Sequence, residues 1–246
     1  MRTRDGSFVE RFTEHTSYGW RKIIQGCYIA NSHGLEWLWL DTCCVDKSSS
    51  AELSEAINSM YKWYRTAKAC YVFLPDVSSL DNSPSRSVDP PRDEKYTQYH
   101  AFHENQFLAS EWFSRAWTLQ ELLAPSDLRF FNCEFQFIGT KAGLSGLVAA
   151  RTKINRQLLQ ESDQSPHQFL VGQFSIADRM TWAADREATR QEDIAYCLLG
   201  IFDVNMPLLY GEGGKAFLRL QLEIMKKSED ETIFAWGSKR MHAHKT

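Results

Sequence analysis

Two nearly unbroken apolar runs, LEWLWLDTCC at 35–44 and CYVFLPDV at 70–77, constrain the fold of this chain more than any other feature. A strand with one face in water alternates apolar and polar residues, whereas a run that is apolar at almost every position suits a strand covered on both faces, as in a parallel sheet. Between the runs, SSSAELSEAINSMYKWYRTA sets Ile57, Met60, Tyr61, Tyr64 and Ala67 at helical spacing, with Ser49 and Glu52 placed as a capping box. Strand, helix and strand within about 40 residues predict a right-handed crossover whose two strands are parallel.

The same periodicity extends along the chain. Residues 18–33 carry Trp20, Ile23, Ile24, Cys27 and Ala30 on one helical stripe, with Gly34 placed to end it. From Ser78 to about Asn105 the composition turns to Ser, Pro, Asp and Arg without a period, which predicts a long lid-like surface loop. SRAWTLQELLAP at 114–125 is a short helix that Pro125 stops and that Ser110 or Ser114 can cap, followed by DLRFFN and FQFIG as short strands. Beyond Gly139, LSGLVAARTKINRQLL, SIADRMTWAADR, TRQEDIAYCLLGIF and GGKAFLRLQLEIMKK are expected helices. Thr189 and Glu192 have capping-box spacing in the third, and Pro207 with YGEGG separates the last two. The expected organisation is an α/β domain over 1–140 with a helical extension over 141–246 packed on it.

A hydrophobic content of 43% with 13% aromatic residues can close a sizeable core at a length of 246 residues. The net charge of −3 comes from interspersed signs, so no basic face points to nucleic acid. No apolar run approaches the roughly 20 residues of a membrane span, and MRTRDGSFVERF lacks a signal-type apolar stretch. A cytoplasmic protein without a membrane partner is expected. Six cysteines without a C-x-x-C pair fit reduced thiols, and the adjacent Cys43 and Cys44 are expected at a strand end, pointing to opposite faces. His100 and His103 have H-x-x-H spacing, but no motif places a further ligand, so they are taken as solvated loop histidines and no metal is expected.

Parallel α/β sheets gather binding groups at the carboxyl ends of their strands, where Asp41, Asp46 and Asp76 fall. Trp117 and Glu121 follow the lid-like loop at i and i+4, on one helix face. A carboxylate beside indole loses hydration and needs a partner or a task. Two readings stand open: a rim-exposed or Arg-paired glutamate, and a sheltered catalytic one. The chain has no G-x-G-x-x-G, Walker-type loop, H-E-x-x-H or G-x-S-x-G. YGEGG is expected to connect helices, and Arg190 and Asp193 to be ion-pair partners rather than catalysts.

These motifs in their order, from LEWLWLDTCCVDKSSSAELSEAINSMYKWYRTAKACYVFLPDV through SEWFSRAWTLQELLAP to RMTWAADREATRQEDIAYCLLGIFDVNMPLLYGEGGKAFLRLQLEI and TIFAW, resemble the fungal heterokaryon (vegetative) incompatibility, or HET, domain family. The resemblance runs from about residue 18 to Trp236 and implies an effector of non-self recognition whose activation leads to growth arrest or cell death. Through the distant similarity of that domain to TIR domains it further implies a flavodoxin/TIR-like parallel sheet flanked by helices, with a C-terminal helical extension. In many TIR domains the glutamate of W-x-x-x-E serves NAD hydrolysis. W-T-L-Q-E puts Glu121 in the catalytic role by resemblance, with Trp117, Asp41, Arg115 and Trp112 as substrate-binding candidates. NAD would be the substrate, with no cofactor, and the partners would be other copies of the chain or an upstream sensor protein. Residues 1–17 lack the family's first-strand motif, so that strand is expected to be missing or degenerate. A non-enzymatic interaction module and a truncated inactive member are the alternatives.

Overall fold

The computed structural model describes residues 18–78, 104–160 and 171–235, in two compact units that divide between Cys44 and Val45. In the first unit, helix α1 (Tyr18–Ser32) follows its expected stripe: Ala30 is buried, Ile23, Ile24 and Cys27 are half-buried, and only Trp20 is turned out to solvent. Gly34 ends the helix, its N–H donating to Asn31 O at 2.9 Å.

The expected strand at 35–44 does not form. Residues 35–40 have no regular structure, Asp41–Cys44 make a single helical turn, α2, and no residue of the run is buried, Trp37 being 90% exposed. Apolar composition records a demand for cover, whereas a strand exists only where a neighbour takes its backbone N–H and C=O groups. The run meets the first condition and lacks the second among the described residues.

The second unit opens with α3 (Ser50–Thr66), whose N-terminus is fixed as expected by Ser49 Oγ accepting from Glu52 N–H at 3.3 Å. The Glu52 carboxylate accepts from Asp46 N–H at 2.8 Å, which ties the preceding loop to the helix. Helix α3 buries Ala56, Ile57 and Tyr61. Strand β1 (Cys70–Phe73) pairs in parallel with β2 (Leu128–Phe131), and β2 pairs antiparallel with β3 (Phe137–Thr140) across the tight Asn132 loop. Asn132 shapes that loop, its Oδ1 accepting from Glu134 N–H at 3.0 Å and Gln136 N–H at 2.9 Å.

The parallel connection is therefore real but displaced. It runs from β1 to β2 through residues 74–127, including α4 (Thr118–Leu123), rather than through α3. Among the described residues the sheet is three-stranded and mixed, in the order β1-β2-β3, and helices flank it. This is an α/β fold, but the all-parallel sheet expected from the TIR resemblance is not what the described strands build: β3 returns by a hairpin, and a hairpin makes its strands antiparallel.

The helical region departs from expectation in two places. The single helix expected over 144–159 breaks into α5 (Ser145–Thr152) and α6 (Arg156–Gln160), because Lys153 takes a left-handed backbone with φ 63° and donates its N–H to Ala149 O at 2.9 Å. Left-handed geometry costs an L-residue roughly 1–2 kcal/mol, most for β-branched side chains. Lys153→Val is expected to destabilise the protein by about 1–2 kcal/mol and Lys153→Gly by nothing comparable, read by chemical denaturation. The exposed pair of Lys153 Nζ with Asp185 at 3.1 Å is lost in both variants, so it cancels in the comparison.

Next, α7 (Ile176–Ala183) carries a complete capping box between Ser175 and Asp178. The expected helix at TRQED is reduced to one turn, α8 (Asp193–Tyr196), with Glu192 rather than Thr189 at its N-cap. Turns carry the buried Leu198, Leu199 and Ile201 to the GEGG loop, which does connect helices, leading into α9 (Lys215–Lys227). One core joins the sheet, α3, α4 and the helical region, from Ile57 through Leu74, Leu119 and Phe130 to Tyr196, Leu220 and Ile233.

Candidate functional site

The site is assembled by three elements that meet on Glu121. Helix α3 contributes Tyr64, a 3-10 turn at Glu111–Ser114 contributes Trp112, and α4 contributes Glu121 itself. The half-buried carboxylate accepts from Trp112 Nε1 at 3.2 Å on one oxygen and from Tyr64 Oη at 3.3 Å on the other. Both of these donors are neutral side chains that orient the carboxylate. Trp112 is buried and held edge-on against Phe113 and Phe130 at centroid distances of 5.1 and 5.6 Å, which fixes where its N–H points.

The 3-10 turn is pinned from below. Asp76, just past β1, accepts from Ser110 Oγ at 2.8 Å and from Glu111 N–H at 2.7 Å, and Ser110 in turn caps the turn. From the other side Arg186, only 7% exposed, donates through Nη1 to Thr118 Oγ1 at 2.9 Å and to Arg115 O at 3.0 Å, and through Nε to Trp182 O at 3.2 Å. Thr118 Oγ1 lies 2.6 Å from Trp112 O, to which it donates. Arg186 thus reaches the Trp112 backbone through a single hydroxyl. Burial pushes its guanidinium down to about 10, with Cys197 and Glu121 pulling the other way.

The other candidates are dispersed. Trp117 is half-buried at the start of α4, against the core, and Arg115 is exposed, its carbonyl rather than its guanidinium engaged by Arg186. Asp41 begins α2 in the first unit. Asp46 accepts from Ser48 Oγ at 2.6 Å in the turn before α3. The charge of Glu121 is felt by Cys70, the first residue of β1, whereas Asp76 follows the last. Burial first and Glu121 second drive the Cys70 thiol far up, which makes it a poor nucleophile.

The charged motifs of the helical region hold each other. Glu192, 7% exposed, accepts from Gly211 N–H at 2.7 Å and from Gly213 N–H at 2.9 Å. Both glycines have positive φ, 103° and 58°, which turns their N–H groups inward to the same oxygen. Arg190 and Asp193, expected as ion-pair partners, both meet Tyr210: the guanidinium lies 4.5 Å over its ring, and Asp193 Oδ1 accepts from its hydroxyl at 2.9 Å. Glu212 accepts from Arg219 Nη1 at 2.5 Å and from Tyr196 Oη at 3.1 Å. TRQED and YGEGG are the two halves of one clasp.

Its hydrogen bonds from Gly213 and then from its own and the Gly211 backbone hold the Glu192 carboxyl below the usual range. A depressed carboxylate contributes stability that is complete above its ordinary pKa and is lost as the pH falls through the folded value. The wild-type melting temperature is expected to drop between about pH 5 and pH 3, and Glu192→Gln to flatten that drop while lowering the plateau. Asp230, also depressed, chiefly by the Thr232 hydroxyl, supplies part of the slope that remains.

In the sequence Tyr64 shows only as part of a helical stripe, and nothing in the local pattern marks Arg186. His100, His103, residues 1–17 and nearly all of the lid-like loop lie outside the described residues. Among the described residues no group of three or more His, Cys, Asp and Glu side chains is placed to hold a metal, and no helix is long and apolar enough to cross a membrane.

A small mixed sheet sharing one core with its helices, and an oriented carboxylate where α3, the 3-10 turn and α4 meet, define an α/β domain with an acidic candidate site. The chain carries a heterokaryon incompatibility (HET) domain: residues 20–121 match the sequence model of the Heterokaryon incompatibility protein (HET) family. It is 44% identical over 224 residues to the Vegetative incompatibility protein HET-E-1 of Podospora anserina, an alignment that covers 91% of this chain and 15% of that protein. The chain therefore spans a minor part of the relative it matches. No solved structure matches it.

Proposed function

We propose that this chain is the effector domain of a vegetative incompatibility system, and that it drives cell death by hydrolysing NAD through Glu121. The observation that carries the proposal is the oriented, half-buried carboxylate between Trp112 Nε1 and Tyr64 Oη. In NAD the bond from ribose C1′ to the nicotinamide nitrogen breaks with its electron pair going to that nitrogen. The leaving group departs neutral from a cationic precursor, so no general acid is required and one carboxylate can replace the usual pair. Positive charge builds on the ribose ring, and a fixed carboxylate in a partly dehydrated site stabilises it. Water then adds to C1′ and releases a proton.

In this proposal Trp112 aims the carboxylate, Trp117 offers an aromatic wall to the substrate, and Arg115, exposed just before α4, meets phosphate. Asp41 lies in the first unit and is given no part in it.

Self-association is the proposed trigger. Helix α9 buries Ala216, Leu220 and Ile224 but leaves Leu218, Leu222 and Met225 exposed at i, i+4 and i+7. Two copies laid antiparallel along this stripe cover it with the same stripe of the other copy, the self-complementary contact of a two-fold dimer. The test is NAD consumption by the purified chain over a range of concentrations, with turnover expected to rise faster than in proportion to protein. Absence of nicotinamide release at every concentration and on forced oligomerisation removes the hydrolase.

A second reading has its own observation. The hydrogen bonds on Glu121 join α3, the 3-10 turn and α4, so the residue can serve as a structural bracket in a non-enzymatic signalling module. That reading predicts toxicity in cells that survives any substitution of Glu121 that leaves the fold intact.

A further inference from the structure

The adjacent cysteines of α2 form a feature that the proposed hydrolase does not use. A strand would have pointed Cys43 and Cys44 to opposite faces, but α2 is a helical turn, and their Sγ atoms lie 4.0 Å apart with both residues exposed. In the thiol form Leu40 meets both sulfurs: its N–H donates to Cys44 Sγ at 3.5 Å, and its carbonyl accepts from Cys43 Sγ at 3.8 Å.

The separation decides which chemistry the pair can do. A disulfide needs sulfurs about 2.05 Å apart and Cα atoms usually 4.4–6.8 Å apart, whereas Cα atoms joined by a trans peptide are fixed at about 3.8 Å. Closing that bond would distort the backbone of α2. Two thiolates sharing one metal ion at about 2.3 Å are about 3.8 Å apart at the tetrahedral angle, and farther apart as the angle opens. The observed spacing therefore suits a bridging atom. Zinc in a structural site takes four ligands, and among the described residues no third His, Cys, Asp or Glu completes a cluster with this pair. A soft cation content with two sulfur ligands remains, and thiolates select Cu(I) among such ions.

We propose that Cys43 and Cys44 are a chelating dithiolate site for a soft cation of the Cu(I) class. Binding forms two metal–sulfur bonds and releases two thiol protons to solvent, with no change of oxidation state. The inference stands apart from the hydrolase and does not depend on it.

The test titrates the reduced full chain with Cu(I) under nitrogen against bicinchoninate as a competing chelator. Wild type and Cys27→Ser are expected to hold one equivalent tightly. Cys43→Ser and Cys44→Ser are each expected to lose about 100-fold in affinity, because a single thiolate lacks the chelate advantage. Both positions are exposed, so unchanged thermal melting will show that the variants are folded. Equal Cu(I) affinity in wild type and in both variants overturns the proposal. So does mild peroxide treatment that removes two hydrogens from the peptide holding both cysteines, since ready disulfide closure contradicts the spacing argument.

Discussion

Gly200→Ala is expected to lower the melting temperature by roughly 10 °C or to prevent accumulation of folded protein. A Cβ at position 200 would sit 2.1 Å from Tyr61 Cβ and 2.5 Å from its Cγ. These atoms are next to the α3 backbone, so no rotamer change relieves the contact, and the helix itself must move. Overpacking of that kind costs about 3 kcal/mol or more, against a gain below about 1 kcal/mol from the stiffer unfolded chain. The close approach has a purpose that reaches the site. It lays the 197–201 turn on α3 while Gln120 Nε2, from α4, donates to Cys197 O at 2.7 Å, so the elements carrying Tyr64 and Glu121 are strapped to one support. Tyr61→Ala keeps the offending Cβ and is expected not to rescue Gly200→Ala. Wild-type melting of Gly200→Ala by calorimetry would mean that α3 and the turn are not held in this contact.

The features legible in the sequence were those set by a local period or a local cap. The stripe of α1, apart from the exposed Trp20, and the Ser49 cap of α3 depend on neighbours a few residues away, and each is where the pattern put it. What was not legible depends on partners far along the chain. The run at 35–44 is as apolar as β1, yet pairing is decided by which strand lies alongside, and β1 takes β2, some 58 residues on, as its parallel neighbour. The break at Lys153 is a backbone choice at a residue type that gives no warning of left-handed geometry.

The site shows the same division. Trp117 and Glu121 announce themselves by spacing, but the indole that holds the carboxylate belongs to Trp112, nine positions away and outside the helix. TRQED and YGEGG stood out as charged and Gly-rich stretches, whereas their mutual recognition through one Glu192 oxygen is a tertiary fact. A period marks which residues face inward together, and it carries no record of what waits for them there.

Glu121→Gln is expected to reduce NAD turnover by about 100-fold or more while shifting stability by no more than about 1 kcal/mol. The two donors differ in what they require. Trp112 Nε1 is a donor only and must keep an oxygen in front of it, whereas Tyr64 Oη can turn from donating to accepting. The amide therefore fits with its oxygen toward Trp112 and its NH₂ toward Tyr64, and the bracket between α3, the 3-10 turn and α4 survives. What disappears is the negative charge that the proposed mechanism sets against the ribose, and a loss of 100-fold corresponds to about 2.7 kcal/mol of transition-state stabilisation. Nicotinamide release and thermal melting measured on the same preparation separate the two roles of the residue. Lost turnover with an unchanged melt assigns the charge to chemistry. Unchanged turnover removes Glu121 from the mechanism, and a melt that collapses in parallel with turnover makes it a bracket.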